Sequence, residues 1–351
     1  MAGDANEAEG PLGERALNRA LLARQLLLER EELTLPQALE RMGTLQAQYA
    51  PSMYIGLWSR VAGFKRADLT HALERREVVQ GTLMRATIHL VSAADYWPLA
   101  LGVREPRRTA WIRVARRGLD EADVAAAAER VRAGLADGPL RRTEIDALLG
   151  DKVLANGIGM WLDLVRIPPS GTWERRRADL YELAERWLGP PEARVEEGRE
   201  RLALRYLEGY GPAPVSDIAN WAGLPAAEVT RTCERLELRR LNDERGGELL
   251  DLPDAPLPDP ETPAPVRFLP TWDASLLVHA RRTGILPEEH RPKVFNTKTP
   301  QSVPTFLVDG RVAGAWRWER GAMRLEPFVR LDRATHTALE EEAEALVELH
   351  R

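Results

Sequence analysis

The sequence contains few of the residues on which many kinds of site are built. Cys233 is the single cysteine among 351 residues, which excludes a disulfide framework and a cluster of thiolate ligands. The six histidines are scattered, without H-E-x-x-H or a spacing of two histidines and one carboxylate, so no metal site is predicted. A reducing compartment is therefore expected.

Motifs of common enzyme classes are also missing. The sequence has no G-x-x-x-x-G-K-[ST] loop and no G-x-G-x-x-G after a strand, which argues against a nucleotide held by a glycine-rich loop. It has no G-x-S-x-G elbow, the mark of many serine hydrolases. We therefore expect no cofactor, and most familiar kinds of enzyme are unsupported.

Long apolar runs are absent as well. No uncharged stretch approaches the roughly 18 residues that suffice to cross a bilayer. The acidic N-terminal segment 1–15 lacks the basic and apolar regions of a signal peptide. These absences predict a soluble protein of the cytoplasm without a membrane partner.

The net charge of −5 by itself argues against nucleic acid as a partner, because affinity for phosphate normally comes from a basic surface. The charge is unevenly distributed, however: acids concentrate in segments 1–14 and 192–200 and in the C-terminal tail. The arginines gather in three patches, namely Arg104, Arg107, Arg108, Arg113, Arg116 and Arg117; Arg175, Arg176 and Arg177; and Arg281 and Arg282. Each patch suits contacts with phosphate, but also matches the arginine-rich usage of a high-GC genome.

One pattern of elements occurs three times before a proline-rich segment at 253–265. Each copy has helices followed by two strands that a charged turn joins, which is the layout of a winged helix. The third copy is the clearest, because glycine and proline mark the ends of its helices. The sequence thus predicts an α+β fold with three tandem winged-helix units at residues 1–118, 119–194 and 195–258.

Beyond the proline-rich segment the apolar residues alternate, which is typical of strands. Asp309-Gly310 and Arg320-Gly321 are predicted to be hairpin turns. Segment 334–350 is predicted to be an amphipathic helix. The last unit, residues 259–351, is therefore expected to be β-rich with a terminal helix.

Two glutamines form an unusual motif. Gln46 and Gln48 lie two residues apart, just before a helix that begins near Pro51. In an extended segment this spacing places both amides on the same side, about 7 Å apart, where they could grip one small molecule. Without further context, the same two glutamines are also explained as helix-capping or groove-facing polar groups.

The chain resembles the winged-helix DNA-binding family that contains the AlkZ and YcaQ bacterial DNA glycosylases. The resemblance spans residues 45–318 and is carried by LQAQ with SMYIGLWSR, by RATIHLVSAADYW, by RIPPSGTWERRRADLY, and by FLPTWDASLLVHARR with FLVDGRVAGAWR. It implies a concave body of three winged helices that binds DNA, with Gln46 and Gln48 as the catalytic pair. Gln48 stands where the YcaQ branch has aspartate.

The chemistry that this resemblance implies needs no strong base. Neutral amides do not titrate near pH 7, so Gln46 and Gln48 would orient a water. That suffices for a purine alkylated at N3 or N7, because its positive charge already favours departure. The nearest lysine in sequence is Lys65, so no Schiff base is expected. We therefore predict a monomeric, monofunctional glycosylase whose partner is alkylated or crosslinked duplex DNA.

Four further residues each have two interpretations. Arg85 and His89 would share one face of a strand pair; His89 could contact phosphate or orient a group near Gln48, or it could be structural. Arg60 could clamp a phosphate or face the C-terminal end of a helix. Asp273 could stabilise charge or cap a turn. The remaining candidates for DNA contact are Arg175, Arg176 and Arg177, expected on a wing, with Arg281 and Arg282.

Two other functions stay open at this point. The chain could be a non-catalytic DNA-binding protein or a transcription regulator built from the same units. Against this, no dimerisation helix is evident, and a regulator has no need of the glutamine pair. A small-molecule sensor is a third reading, which no particular residue supports.

Overall fold

A computed structural model describes residues 10–115, 119–279, 284–295 and 302–351. Over these ranges the fold is a mixture of helices and antiparallel sheets. The sequence of one helix, a short strand, two helices and two strands recurs three times, and we refer to these segments as the first, second and third repeat. Within the described residues, no helix is both long and apolar enough to cross a membrane.

The first repeat follows one preceding helix. A capping box between Thr34 and Gln37, with proline in the first turn, begins its first helix. In chain order the elements are α1 (Glu14–Arg24), α2 (Leu35–Arg41), β1 (Leu45–Gln46), α3 (Ala50–Trp58), α4 (Arg66–Glu74), β2 (Val78–Thr82) and β3 (Ile88–Ser92). The predicted strand pair in this region is confirmed, with a 3-10 turn at Met84–Ala86 between the two strands.

A long helix, α5 (Ala93–Ala115), joins the first repeat to the second. The second repeat and the short helix that follows it consist of α6 (Glu121–Gly134), β4 (Leu140–Arg141), α7 (Arg142–Leu149), α8 (Lys152–Trp161), β5 (Leu164–Arg166), β6 (Leu180–Leu183) and α9 (Ala184–Leu188). Residues 167–179 link β5 to β6 and are called the wing segment below.

The third repeat has the same order. Its short strand is a single bridge between Ala213 and Leu250. Its other elements are α10 (Val195–Tyr210), α11 (Val215–Ala222), α12 (Ala226–Cys233), β7 (Arg239–Asn242) and β8 (Glu248–Asp251). Helix α10 packs closely on α5, because a Cβ at Gly198 would lie 2.3 Å from the carbonyl oxygen of Pro98.

The first and second repeats share one sheet. Its strands follow the order β1-β3-β2-β5-β6-β4, and β2 pairs with β5 through Gln80 with Arg166 and Gly81 with Val165. The pairing therefore crosses the boundary that the sequence predicts between residues 118 and 119. That boundary separates two helices, but it does not separate two sheets.

The proline-rich segment leads to a second sheet of order β12-β11-β10-β9. The C-terminal elements are β9 (Arg267–Leu269), α13 (Arg291–Val294), β10 (Thr305–Val308), β11 (Arg311–Glu319), β12 (Ala322–Pro327) and α14 (Arg333–His350). Both predicted hairpin turns are confirmed, since Asp309-Gly310 and Arg320-Gly321 have the positive φ angles that such turns require. The terminal helix is confirmed as α14.

Candidate active site

Gln46 and Gln48 both lie against strand β3. Gln46 pairs with His89 across the sheet, and its side chain is buried, with 7% of the residue exposed. Gln48 is exposed and lies in a bend between β1 and α3. Because β1 ends at Gln46, the extended segment assumed from the two-residue spacing does not continue through Gln48. Strand β3 is what the two residues share, because Gln46 pairs with His89 and Gln48 accepts from Ile88.

The two side-chain amides differ in which of their hydrogen-bonding groups are available to a ligand. The Oε1 atom of Gln48 accepts a hydrogen bond from the backbone N–H of Ile88, at 3.2 Å. The amide of Gln46 makes no hydrogen bond to any residue that the structure describes. Gln46 can therefore use both its carbonyl and its amino group on a bound molecule, whereas Gln48 has mainly its amino hydrogens.

His89 is neutral and held in one tautomer. Its Nδ1 lies 3.0 Å from the carbonyl oxygen of Thr87; because a carbonyl only accepts, Nδ1 carries the hydrogen. Burial, followed by the positive charge of Arg85, lowers the pKa of His89 to about 3. The ring is only 2% exposed, so this position contradicts a phosphate contact by His89.

This burial makes the stability of the protein depend on pH through His89. The folded-state pKa of about 3 lies below the unfolded value of about 6.5. Between these two pH values His89 is therefore protonated in the unfolded chain and neutral in the folded chain. The contribution is complete above pH 6.5 and decreases as the pH falls toward 3, by about 1.4 kcal/mol per pH unit. We expect His89→Asn to lack this slope. Urea unfolding of both proteins at pH 7, 6 and 5 measures it, and parallel slopes would contradict the assignment.

Arg85 lies outside the strands. It occupies the 3-10 turn at Met84–Ala86 with a φ of 51°, so the prediction that it shares a strand face with His89 is wrong. Its guanidinium donates to the carbonyl oxygen of Trp221 in α11, at 3.0 Å, and burial lowers its pKa. Arg85 thus ties the first repeat to the third, while its contact with DNA stays a prediction.

The wing segment lies beside the glutamines. Arg176 donates to the hydroxyl oxygen of Tyr49, the residue after Gln48, at 3.2 Å. The wing is held in place by the buried ring of Trp173 and by Gln80 of β2, which donates to the carbonyl oxygen of Gly171 at 3.0 Å. The three wing arginines, Arg175, Arg176 and Arg177, are all exposed.

Two residues near the wing segment were not predicted from the sequence to belong to the site. Arg141 of β4 joins the wing arginines around a cavity of about 290 Å³, which the carboxylate of Asp179 also lines. Tyr49 is 40% exposed and stands at the edge of the glutamine pair. A sequence signal existed for Tyr49, since an aromatic residue follows the motif directly, whereas Arg141 reaches the wing only through the pairing of β4 with β6.

Arg60 and Asp273 form an ion pair in the interior, which corrects two predictions. Their closest atoms are 3.0 Å apart, and both side chains are fully buried. Arg60 also donates to the carbonyl oxygen of Gly56 in the last turn of α3, at 3.0 Å, and Asp273 accepts from the backbone N–H of Ser275, at 3.0 Å. The helix-end and turn-cap interpretations are therefore confirmed. A phosphate contact by Arg60 and a charge-stabilising role of Asp273 at the reaction centre are contradicted, because neither side chain reaches the surface.

The remaining candidates, Arg281 and Arg282, lie outside the described residues.

Comparisons with known proteins identify the family. A family model described as DNA glycosylase AlkZ-like matches residues 39–349, which is most of the chain. Among solved structures, the DNA glycosylase AlkZ of Streptomyces sahachiroi is similar in fold, with a TM-score of 0.80 and 20% sequence identity over 97% of this chain and 96% of that protein. No curated protein matches the sequence. The chain therefore belongs to the AlkZ-like family of DNA glycosylases, enzymes of DNA repair.

Proposed function

We propose that this DNA glycosylase hydrolyses the N-glycosidic bond of purines alkylated at N3 or N7 in duplex DNA, and that Gln46 and Gln48 hold the attacking water. The observation that carries the proposal is the placement of the two amides. Gln48 is exposed, Gln46 keeps its hydrogen-bonding groups free of every described residue, and an arginine-rich wing lies alongside. A duplex bound along the wing would thus be adjacent to the exposed Gln48, and it would reach Gln46 through the 7% of that residue which stays exposed.

The neutral side chains fit a substrate that needs little activation. A purine alkylated at N3 or N7 is cationic, so it leaves with the electron pair of its glycosidic bond and becomes neutral. The sugar develops positive charge as the base departs, and a water fixed at the right place then completes the reaction. Fixed amide dipoles position that water without titrating between pH 5 and 8.

We further propose that the three repeats are winged-helix units that together bind one duplex. In each repeat the short strand pairs with the last strand, which supports this assignment. Because Gln48 is exposed and the wing segment borders it on one side, the site is open enough for bulky adducts and for interstrand crosslinks. A target in such a site need not be extruded fully into a pocket. We propose that the protein acts as a monomer.

The proposal is tested by incubating the protein with duplexes that contain N7-methylguanine or N3-methyladenine and detecting the freed base by chromatography. We expect release of the base, and strand cleavage only after alkali or an abasic-site nuclease is added. Binding of the duplex without release, at both low and moderate salt, would favour a non-catalytic DNA-binding protein. A nick formed without these additions would contradict the monofunctional mechanism.

The wing arginines give a separate prediction about binding. Replacing Arg175 or Arg177 by alanine is expected to weaken duplex binding irrespective of its sequence, because contacts with phosphate carry no sequence information. Each lost contact should reduce the slope of log K against log salt by about 1. Fluorescence anisotropy at several salt concentrations measures this slope. The control is Arg75→Ala, because Arg75 is an exposed arginine that pairs with Glu77. An equal change of the salt slope in that variant would contradict a phosphate contact by the wing arginines.

A further inference from the structure

A second hydrogen-bond acceptor lies directly beside Gln46. His89 is opposite Gln46 in the β1–β3 pairing, and residues directly opposite each other have side chains on the same face, with Cβ atoms about 4.5–5.5 Å apart. On its other side His89 faces Gly81 of β2. Because Gly81 has no side chain, the ring of Tyr96 occupies that space, so close that a Cβ at Gly81 would lie 2.6 Å from it.

The imidazole has one nitrogen available for a ligand. Its Nδ1–H donates to Thr87, so Nε2 holds a lone pair and points away from that bond. Thr87 is the hydrogen-bond partner of this ring within the described part of the chain. Burial keeps the ring unprotonated, and Nε2 therefore stays an acceptor throughout the neutral pH range.

Two acceptors orient an attacking water more fully than one. When both of its O–H bonds are engaged, a lone pair of the oxygen is left to face the anomeric carbon of the sugar. The carbonyl of Gln46 can accept from one O–H. The carbonyl of Gln48 already accepts from Ile88, which makes it a poorer partner for the second O–H.

We propose that His89 is a further catalytic residue, whose Nε2 accepts a hydrogen bond from the water that Gln46 and Gln48 hold. The inference rests on the proposed function, since it concerns the same water. The oxygen of the water bonds to the anomeric carbon, and the bond from that carbon to the purine nitrogen breaks. The electron pair of the broken bond stays on the purine, which leaves neutral. The protonated hydroxyl group formed on the sugar then releases one proton to bulk water at the exposed side of the site, which leaves a neutral hydroxyl group.

Two substitutions separate this role from a structural one. In His89→Asn the amide can still donate to Thr87, but nothing replaces the acceptor at Nε2. In His89→Gln the longer side chain returns an amide oxygen to the position of Nε2. We expect single-turnover excision of N7-methylguanine to fall by about 100-fold or more in His89→Asn, and to stay within about 10-fold of wild type in His89→Gln. Duplex binding and thermal unfolding at pH 7.5 serve as controls for both.

Each experimental outcome bears either on the role of His89 or on the proposed function. Wild-type excision by His89→Asn would overturn the proposal, as would a folded, DNA-binding His89→Gln that is as inactive as His89→Asn. If His89→Asn does not fold, His89→Gln alone decides, because a folded variant without excision is incompatible with a restored acceptor. Failure of the wild-type protein to release any base would instead refute the proposed function. An active His89→Asn next to an inactive Gln48→Ala would refute only the role of His89.

Discussion

Gln48→Ala is expected to lower the rate of base excision by about 100-fold or more while leaving the affinity for duplex DNA nearly unchanged. In the proposed mechanism the exposed amide of Gln48 fixes the geometry of the reacting groups, and loss of such positioning costs about two orders of magnitude in rate. Gln46→Ala is expected to have an effect of the same size, because its amide is the one with both groups free. Single-turnover release of N7-methylguanine, with enzyme in excess, measures the chemical step.

The matched control for these variants is Gln37→Ala. Gln37 belongs to the same repeat and is also exposed, but it serves the capping box at the start of α2. We expect this change to reduce stability by about 1 kcal/mol and to leave excision intact. If Gln46→Ala and Gln48→Ala both excised at the wild-type rate, the glutamine pair could not be the catalytic element.

The second large effect concerns stability. Asp273→Ala is expected to lower the free energy of unfolding by about 3–5 kcal/mol, because it leaves the buried charge of Arg60 without its partner. Replacing both residues, as in Arg60→Met with Asp273→Ala, should restore part of this loss, since no charge then stays buried. Denaturant unfolding at pH 7.5 measures all three proteins.

The control for the buried pair is an exposed one. Glu77→Gln breaks the ion pair of Arg75 with Glu77, whose side chains are 59% and 42% exposed, and it should cost less than about 1 kcal/mol. A loss in Asp273→Ala no larger than in Glu77→Gln would show that Arg60 finds water or another partner when the carboxylate is removed.

The sequence predicts much of the fold because its signals are local. The strand pair β2–β3 and the two C-terminal turns each depend on a few consecutive residues, and all of them are present in the structure. The candidate active site is different. Gln46 meets His89 through pairing between strands more than 40 positions apart, and no periodicity reveals that register.

Charged residues account for the other predictions that were wrong. Arginine is usually exposed, so Arg60 at the end of a helix suggested a surface contact. The acid that allows its burial, Asp273, lies more than 200 residues away, and the sequence gives no sign of that pairing. Arg85 was misplaced for a related reason, because a left-handed turn interrupts the strand pattern that surrounds it.

The sheet that continues from β2 into β5 has a consequence for how DNA is handled. The glutamine pair borders one end of this sheet, and the wing arginines extend from the loop between β5 and β6, so backbone hydrogen bonds along the sheet set their separation when the chain folds. Under the proposed function, a duplex that contacts the wing arginines and the glutamine pair at once therefore meets two points whose spacing is set by the shared sheet.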